Sequence, residues 1–401
     1  MSNTADVIII GAGVHGASLA FHLAERGAKP LALERKFIGA GATGRSSGLV
    51  RMHYDVRQDS ELAWLSFGYF RNWAEWIGGD TSTSPSGTMS LSAGCGFTRT
   101  GFIQIVAREN EAALRKNTAM HKDIGIASFL ISAEDVRRLA PSFVTDDFDF
   151  AAYEPESGYA DPSATTASLI NAAKDKGARI LQDCAVMGVI VDGGKVKGVN
   201  TSQGDFFAPV VVNAAGPWAD KLNAMVGLDI PYTTWRHDTM FVGRPKEMGP
   251  SHPTVIDYPN EMYFRPETGG LMLVGLKDGN PLGDSPDGDA EHASQGFVER
   301  AIERICQRVP MMENSYLHSA HGGYDGITPD QHPLLGQAGP DGFYLQCGMS
   351  GTGFKISPAV GLCMSELILD GKAKTVDISI YRPQRFVEGK EISGNYESIW
   401  H

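Results

Sequence analysis

Between Asp6 and Glu34 the chain sets out an apolar strand, a glycine turn, a helix-length segment and a second apolar strand that ends on a carboxylate. The residues are Asp6-Val-Ile-Ile-Ile-Gly11-Ala-Gly13-Val-His-Gly16, followed by Leu31-Ala-Leu-Glu34. Few folds accommodate that order. Gly11 permits a tight turn, Gly13 lets a pyrophosphate approach the backbone, and Gly16 lets the helix pack close to the strand. The helix N-terminus offers N–H groups and a positive dipole end to phosphate charge. Glu34 lies about twenty residues past the glycines, where a carboxylate can bind ribose hydroxyls. Ala17, Ala20, Phe21 and Ala24 recur at helical spacing, and Gly27 is placed to end the helix. The segment predicts a dinucleotide-binding βαβ unit.

The rest of the chain narrows the setting. Its 401 residues fit two intimately joined domains rather than one core. A net charge of −12, with no basic run, argues against nucleic acid or an anionic membrane as partner. The apolar N-terminal run is only a strand long and follows Asp6, so neither a signal peptide nor a membrane span is expected. Cys95, Cys184, Cys306, Cys347 and Cys363 form no CxxC pair, which fits reduced thiols in the cytoplasm. The histidines show no HxH or HExxH spacing, and no metal is expected. Gly348-Met-Ser350-Gly-Thr lacks the second glycine of a nucleophile elbow, which removes Ser350 as a hydrolase nucleophile.

Nucleotide-type units lie at both ends and in the middle, with antiparallel-looking strands between them. This arrangement predicts an α/β fold in which a discontinuous Rossmann-like domain (1–78, 151–227 and 317–385) carries an inserted antiparallel-sheet substrate domain (79–150 and 228–316). Short strands and turns are expected from Gly78 to about Gly101, and a last helix from about Pro358 to Leu369. The acidic run Asp284 to Glu291 reads as a solvated loop, and residues 386–401 as a tail trailing over the surface.

Four separated motifs stand in a fixed order: the glycine turn, Gly44-Arg-Ser-Ser-Gly48-Leu-Val-Arg51, Val212-Asn-Ala-Ala-Gly216-Pro-Trp218, and Gly348-Met-Ser-Gly351-Thr-Gly353-Phe354-Lys355. From Ala5 to Ile380 the chain thereby resembles the flavoprotein family that includes D-amino acid oxidase, glycine oxidase and monomeric sarcosine oxidase. The resemblance implies FAD as cofactor. Glu34, with Arg35 beside it, would bind the adenosine ribose, and Val186 would present backbone groups to the adenine. Gly216 and Trp218 would pass close to the FAD, and Ser46, Ser47 and Gly48 would run under the flavin ring. Gly348, Gly351, Gly353, Phe354 and Lys355 would cover its pyrimidine edge, although a tight strand-to-helix turn would use the same glycines.

Arg51 and Lys355 match the pair that grips the substrate carboxylate in sarcosine oxidase. A guanidinium suits a bidentate carboxylate and an ammonium adds charge, but surface ion pairs would use the same residue types. Tyr54 and Tyr263 match aromatic positions near the substrate, or are core tyrosines. Three departures follow. No cysteine stands shortly before Thr328-Pro-Asp330, in the stretch from His318, and Gly44-Arg45 stands where a tethering histidine would, so the FAD is expected to be non-covalent, with only His321 near the first position. Met272 is the nearest match to an oxygen-activating lysine, with Lys277 close by, which disfavours a fast oxidase and leaves a quinone or other acceptor beside oxygen.

The activity implied is FAD-dependent oxidation of a small carboxylate-bearing amine, a secondary or N-methyl amino acid, by hydride transfer to flavin N5. The resulting imine would hydrolyse. The alternatives are a 2-hydroxy-acid dehydrogenase with His53 or His321 as base, the flavoprotein subunit of a heteromeric opine or amine oxidase, and a non-catalytic FAD scaffold.

Overall fold

The computed structural model describes residues 3–77, 94–249, 251–277, 279–280 and 282–396. Most of the strand-and-turn segment expected from Gly78 to Gly101 lies outside the described residues. A six-stranded sheet runs in the order Leu334–Gln337, Phe343–Cys347, Val210–Asn213, Val7–Ile10, Pro30–Leu33, Arg179–Leu181. All its pairings are parallel except the first, where Leu334–Gln337 is antiparallel to its neighbour. Every residue of Val7–Ile10 and Pro30–Leu33 is buried, as a parallel sheet covered on both faces requires.

The glycine turn between the first strand and the helix Val14–Glu25 works by close approach. Gly11 has φ +106°, and a Cβ on Gly16 would stand 2.0 Å from the Gly11 carbonyl oxygen. Only hydrogen fits there, and the helix can seat against the strand end. The last helix, Gly353–Asp370, starts five residues before the proline that was expected to open it. Pro358 has no N–H to give to the carbonyl one turn back. The Ser357 hydroxyl donates to that Phe354 carbonyl instead, at 2.8 Å. The helix therefore begins at Gly353, and its N-terminus faces the ligand cavity described below.

An eight-stranded sheet lies beside this unit, in the order Leu317–Ile327, Thr233–Gly243, Leu271–Leu276, Met262–Glu267, Thr254–Asp257, Phe102–Ile105, Phe150–Glu154, Phe129–Ser132. Its pairings are antiparallel except for Thr254–Asp257 with Phe102–Ile105. Phe150–Glu154 and Leu317–Ile327 belong to it, so it reaches across the boundaries drawn from sequence at 151 and 317. One face packs on the amphipathic helix Phe297–Arg308 through Val242, Val274, Phe297, Ala301 and Ile305. The other face looks onto the cavity.

The C-terminal segment runs over the surface, with 387–391 and 393–395 exposed, but it is anchored at both ends. The guanidinium of Arg385, fully buried, makes two bonds of 2.7 and 2.8 Å to the Asp330 carboxylate, which also accepts the Ile392 N–H at 3.1 Å. That pair fixes the start of the segment. The Tyr396 N–H then reaches Asp55 at 3.0 Å, and its hydroxyl lies 2.9 Å from His53 Nε2. The polar composition concealed this, because the polar groups are used for internal hydrogen bonds. Residues 397–401 lie outside the described residues.

Removing one partner from so buried a pair leaves an uncompensated charge. Arg385→Leu should lower stability by about 3–5 kcal/mol. Arg57→Leu, which breaks the exposed pair with Asp123, should cost about 1 kcal/mol or less. Thermal or urea unfolding of the FAD-loaded proteins checks the difference, and equal losses would contradict the role given to Arg385.

Candidate active site

One cavity of about 390 Å³ runs from Glu34 to Tyr263, along the C-terminal ends of the parallel strands and onto the antiparallel sheet. At its first end both carboxylate oxygens of Glu34 are anchored by backbone. Ala12 N–H donates to one at 3.0 Å and Lys36 N–H to the other at 2.9 Å. Val186 lines the wall beside it. At the rim the Arg35 guanidinium stacks 4.1 Å from the centre of the Trp218 ring. Asp287 ties this rim together, accepting from Arg35 at 2.9 Å, Trp218 Nε1 at 2.8 Å and Lys221 at 2.7 Å. The acidic run is largely exposed, as expected of a solvated loop, and Asp287 ties it to the cavity mouth. Lys221 first, then Arg35 and Trp218, hold the Asp287 carboxyl well below its ordinary range.

Two helix N-termini line the middle of the cavity, Gly13-Val14-His15 and Gly353-Phe354-Lys355. Thr43 Oγ1 accepts the Val14 N–H at 3.0 Å and fixes the first. Gly216 and Gly351 also line the cavity, and nothing lies within 4 Å of where their side chains would begin. Open space over bare backbone, two dipole ends and an anchored carboxylate form a cradle of the kind a dinucleotide fills. The residues present fit FAD.

The far end carries charge. Arg51 is 3% exposed, donates to the His53 carbonyl, and lies 4.3 Å from the Tyr54 ring centre. Lys355 is 7% exposed, and its ammonium reaches the Gly351 carbonyl at 3.3 Å. Burial rules out the surface ion pairs that were the alternative for both. Lys277 joins them, its Nζ 3.8 Å from the Tyr258 ring centre. Burial, then the Arg51 charge, pulls both lysines well below the ordinary amine range. Asp325 faces the same space, and burial pushes its carboxyl up to about 6 against the pull of Lys355. Tyr263 lines the wall with its hydroxyl on His237 Nε2 and the two rings stacked 5.4 Å apart.

Gly11, Gly13, Glu34, Arg35, Ser46 and Ser47 all line this cavity, as do Val186, Gly216 and Trp218. So do Gly348, Gly351, Gly353, Phe354 and Lys355, with Arg51 and Tyr263 at the far end. Gly16, Gly48 and Tyr54 do not. Gly16 packs beneath the turn, and Gly48 (φ +68°) abuts the Ala160 carbonyl. Tyr54 is buried behind Arg51 and supports it.

Met272, the expected match to the lysine position, does not line the cavity. Met272 is fully buried in the hydrophobic layer with Val242 and Val274, away from the cavity. Side chains alternate along a strand. Leu273, whose side chain meets Tyr263, shares its parity with Lys277. Asp325 and His237 were not anticipated; Asp325 lies three residues before the Thr-Pro-Asp segment, where only a missing cysteine had been noted. At the tether positions a Cβ on Gly323 would meet Arg45 Cβ at 3.2 Å. His321 instead pairs with Thr239 at 3.2 Å.

The family model of FAD-dependent oxidoreductases named DAO matches residues 6–367. The chain belongs to this family. Its cofactor is FAD. It is 29% identical over 412 residues to mitochondrial sarcosine dehydrogenase of Mus musculus, covering 96% of this chain and 42% of that protein. It is 25% identical over 397 residues to sarcosine oxidase subunit beta of Rhodobacter capsulatus, covering 96% of this chain and 90% of that protein. The solved structure of L-proline dehydrogenase from P. horikoshii matches with a TM-score of 0.87 at 25% identity, covering 98% of this chain and all of that one. The chain spans 42% of the length of the sarcosine dehydrogenases of mouse and Homo sapiens.

Glu34→Gln should weaken FAD binding by about 1.5–3 kcal/mol, the worth of a charge-assisted hydrogen bond. Flavin fluorescence on dilution measures this, and an unchanged dissociation constant would remove Glu34 from the ribose site.

Proposed function

We propose that the chain oxidises a small amine bearing a carboxylate, with a secondary or N-methyl amino acid as the substrate class. The observation that carries this reading is the charge pattern at the cavity's far end: Arg51, Lys277 and Lys355 around one space, with Asp325 as the carboxylate facing them. Bound FAD supplies the hydride acceptor. Arg51 and Lys355 hold the substrate carboxylate, and Arg51 gives the bidentate geometry. Asp325 faces the amine end and takes its proton, leaving the free amine from which hydride is lost. Tyr263, with its hydroxyl held by His237, walls the reacting carbon. The imine product leaves and hydrolyses in water.

A 2-hydroxy-acid dehydrogenase is less well supported. Neither His53 nor His321 lines the cavity, and His237, which does, is already engaged with Tyr263. Lys277, close in sequence to the position matched by Met272, lines the cavity with its amine, which supports oxygen as an acceptor beside quinones. The relative named as a subunit beta supports assembly with a partner chain as a second reading. All five cysteines are free thiols, which supports a cytoplasmic setting, and no helix among the described residues is long and apolar enough to cross a membrane.

Arg51→Lys should lower kcat/KM on an N-methyl amino acid by on the order of ten- to a hundredfold, because a point charge cannot replace a bidentate pair. The loss should largely vanish on the amidated substrate. Equal loss on acid and amide would contradict the carboxylate grip. For the proton, kcat/KM should fall as pH drops through about 6, where Asp325 takes up its proton. Asp325→Asn should flatten that limb, and an unchanged pH profile would exclude Asp325 as the acceptor.

A further inference from the structure

Behind Arg51, outside the cavity lining, three buried side chains from separate elements converge. His53 comes from the loop after the strand Leu49–Val50, His121 from the last turn of the helix Glu111–Ile124, and Glu154 from the end of Phe150–Glu154. They are 1%, 0% and 0% exposed. One ligand-type atom of each lies within 4.8 Å of those of the other two.

Each residue spends one polar atom on the protein. His53 Nε2 meets the Tyr396 hydroxyl at 2.9 Å, and His121 Nε2 meets the Tyr54 carbonyl at 2.8 Å. Glu154 Oε2 accepts from the Met52 N–H at 2.9 Å and the Ser157 hydroxyl at 2.7 Å. The other atom of each, His53 Nδ1, His121 Nδ1 and Glu154 Oε1, is buried with no hydrogen-bond partner. An unsatisfied buried polar atom costs about 1–3 kcal/mol, and folds leave few of them. Three neighbouring residues that each keep such an atom call for a common occupant.

We infer that His53, His121 and Glu154 form a binding site for a divalent transition-metal ion, with zinc the best match to two imidazoles and one carboxylate. The surroundings suit it. A carbonyl can only accept, so the short contact to Tyr54 puts the His121 proton on Nε2 and leaves Nδ1 as a lone pair. A metal-bound histidine has this outer bond. The Tyr54 N–H, 3.3 Å from the same Nε2, is the longer of the two contacts. The hydroxyl of Tyr396 orients His53 in the same manner. Glu154 is the carboxylate of the set, and Asp55 lies near His121. The ion would pin the Arg51 loop, the helix, the strand and, through Tyr396, the C-terminal segment to one point.

The test is metal content. FAD-loaded protein expressed with zinc in the medium and purified by gel filtration should carry about one zinc per chain, and His121→Gln and Glu154→Gln should each retain about a tenth of that with flavin content unchanged. Crystals measured at the zinc absorption edge should give an anomalous peak between the three side chains. Wild-type protein without stoichiometric zinc, an anomalous map with no peak there, or full zinc in His121→Gln would overturn the site. The wild-type content and the map decide the matter even where a variant fails to fold.

Discussion

Positive charge held inside protein around a single cavity is the constraint on which the functional end of this molecule depends. A guanidinium and two amines face one space, and burial penalises the charged form of both lysines. The protein offsets part of that cost with aromatic faces: Tyr54 under Arg51 and Tyr258 under Lys277. Carbonyls offset more, from His53 to Arg51 and from Gly351 to Lys355. Lys355 also stands in the first turn of its helix, the end whose dipole opposes a cation. Such an arrangement is poor for folding and good for one purpose, the capture of an anion.

The fold delivers these groups from unrelated places. Arg51 leaves a loop beside the glycine turn, Lys277 follows the strand Leu271–Leu276 of the larger sheet, and Lys355 opens the last helix. The cavity exists because the parallel sheet ends where the antiparallel sheet begins, so the dinucleotide cradle and the charged end share one floor. The buried Arg385–Asp330 pair fixes the start of the C-terminal segment. Tyr396 holds its other end against His53 and Asp55.

What the sequence disclosed and what it hid have physical reasons. The Gly11–Gly16 turn and Glu34 were legible because close backbone approach allows only glycine, and strand length fixes where the acid lies. Arg51 and Lys355 were legible because they sit inside those loops. Lys277 was passed over for Met272 because it lies beyond the end of the strand Leu271–Leu276, where no alternation marks which side chain meets the cavity. Asp325, Asp287 and Tyr396 were hidden because each gains its role from long-range contact, as did the convergence of His53, His121 and Glu154, which no local spacing announces. Pro358 misled on the last helix because a serine hydroxyl can replace the missing N–H bond.

The central claim is that the charged end of the cavity binds the carboxylate of an amine and presents that amine to FAD. Anaerobic titration of the FAD-loaded protein with N-methyl amino acids, their amides and the matching 2-hydroxy acids, followed by flavin absorbance, tests it most directly. An amine-borne carboxylate should bleach the flavin, its amide should do so far more slowly, and the hydroxy acid should bind without bleaching. Bleaching by the hydroxy acid alone, or equal bleaching by acid and amide, would contradict the claim.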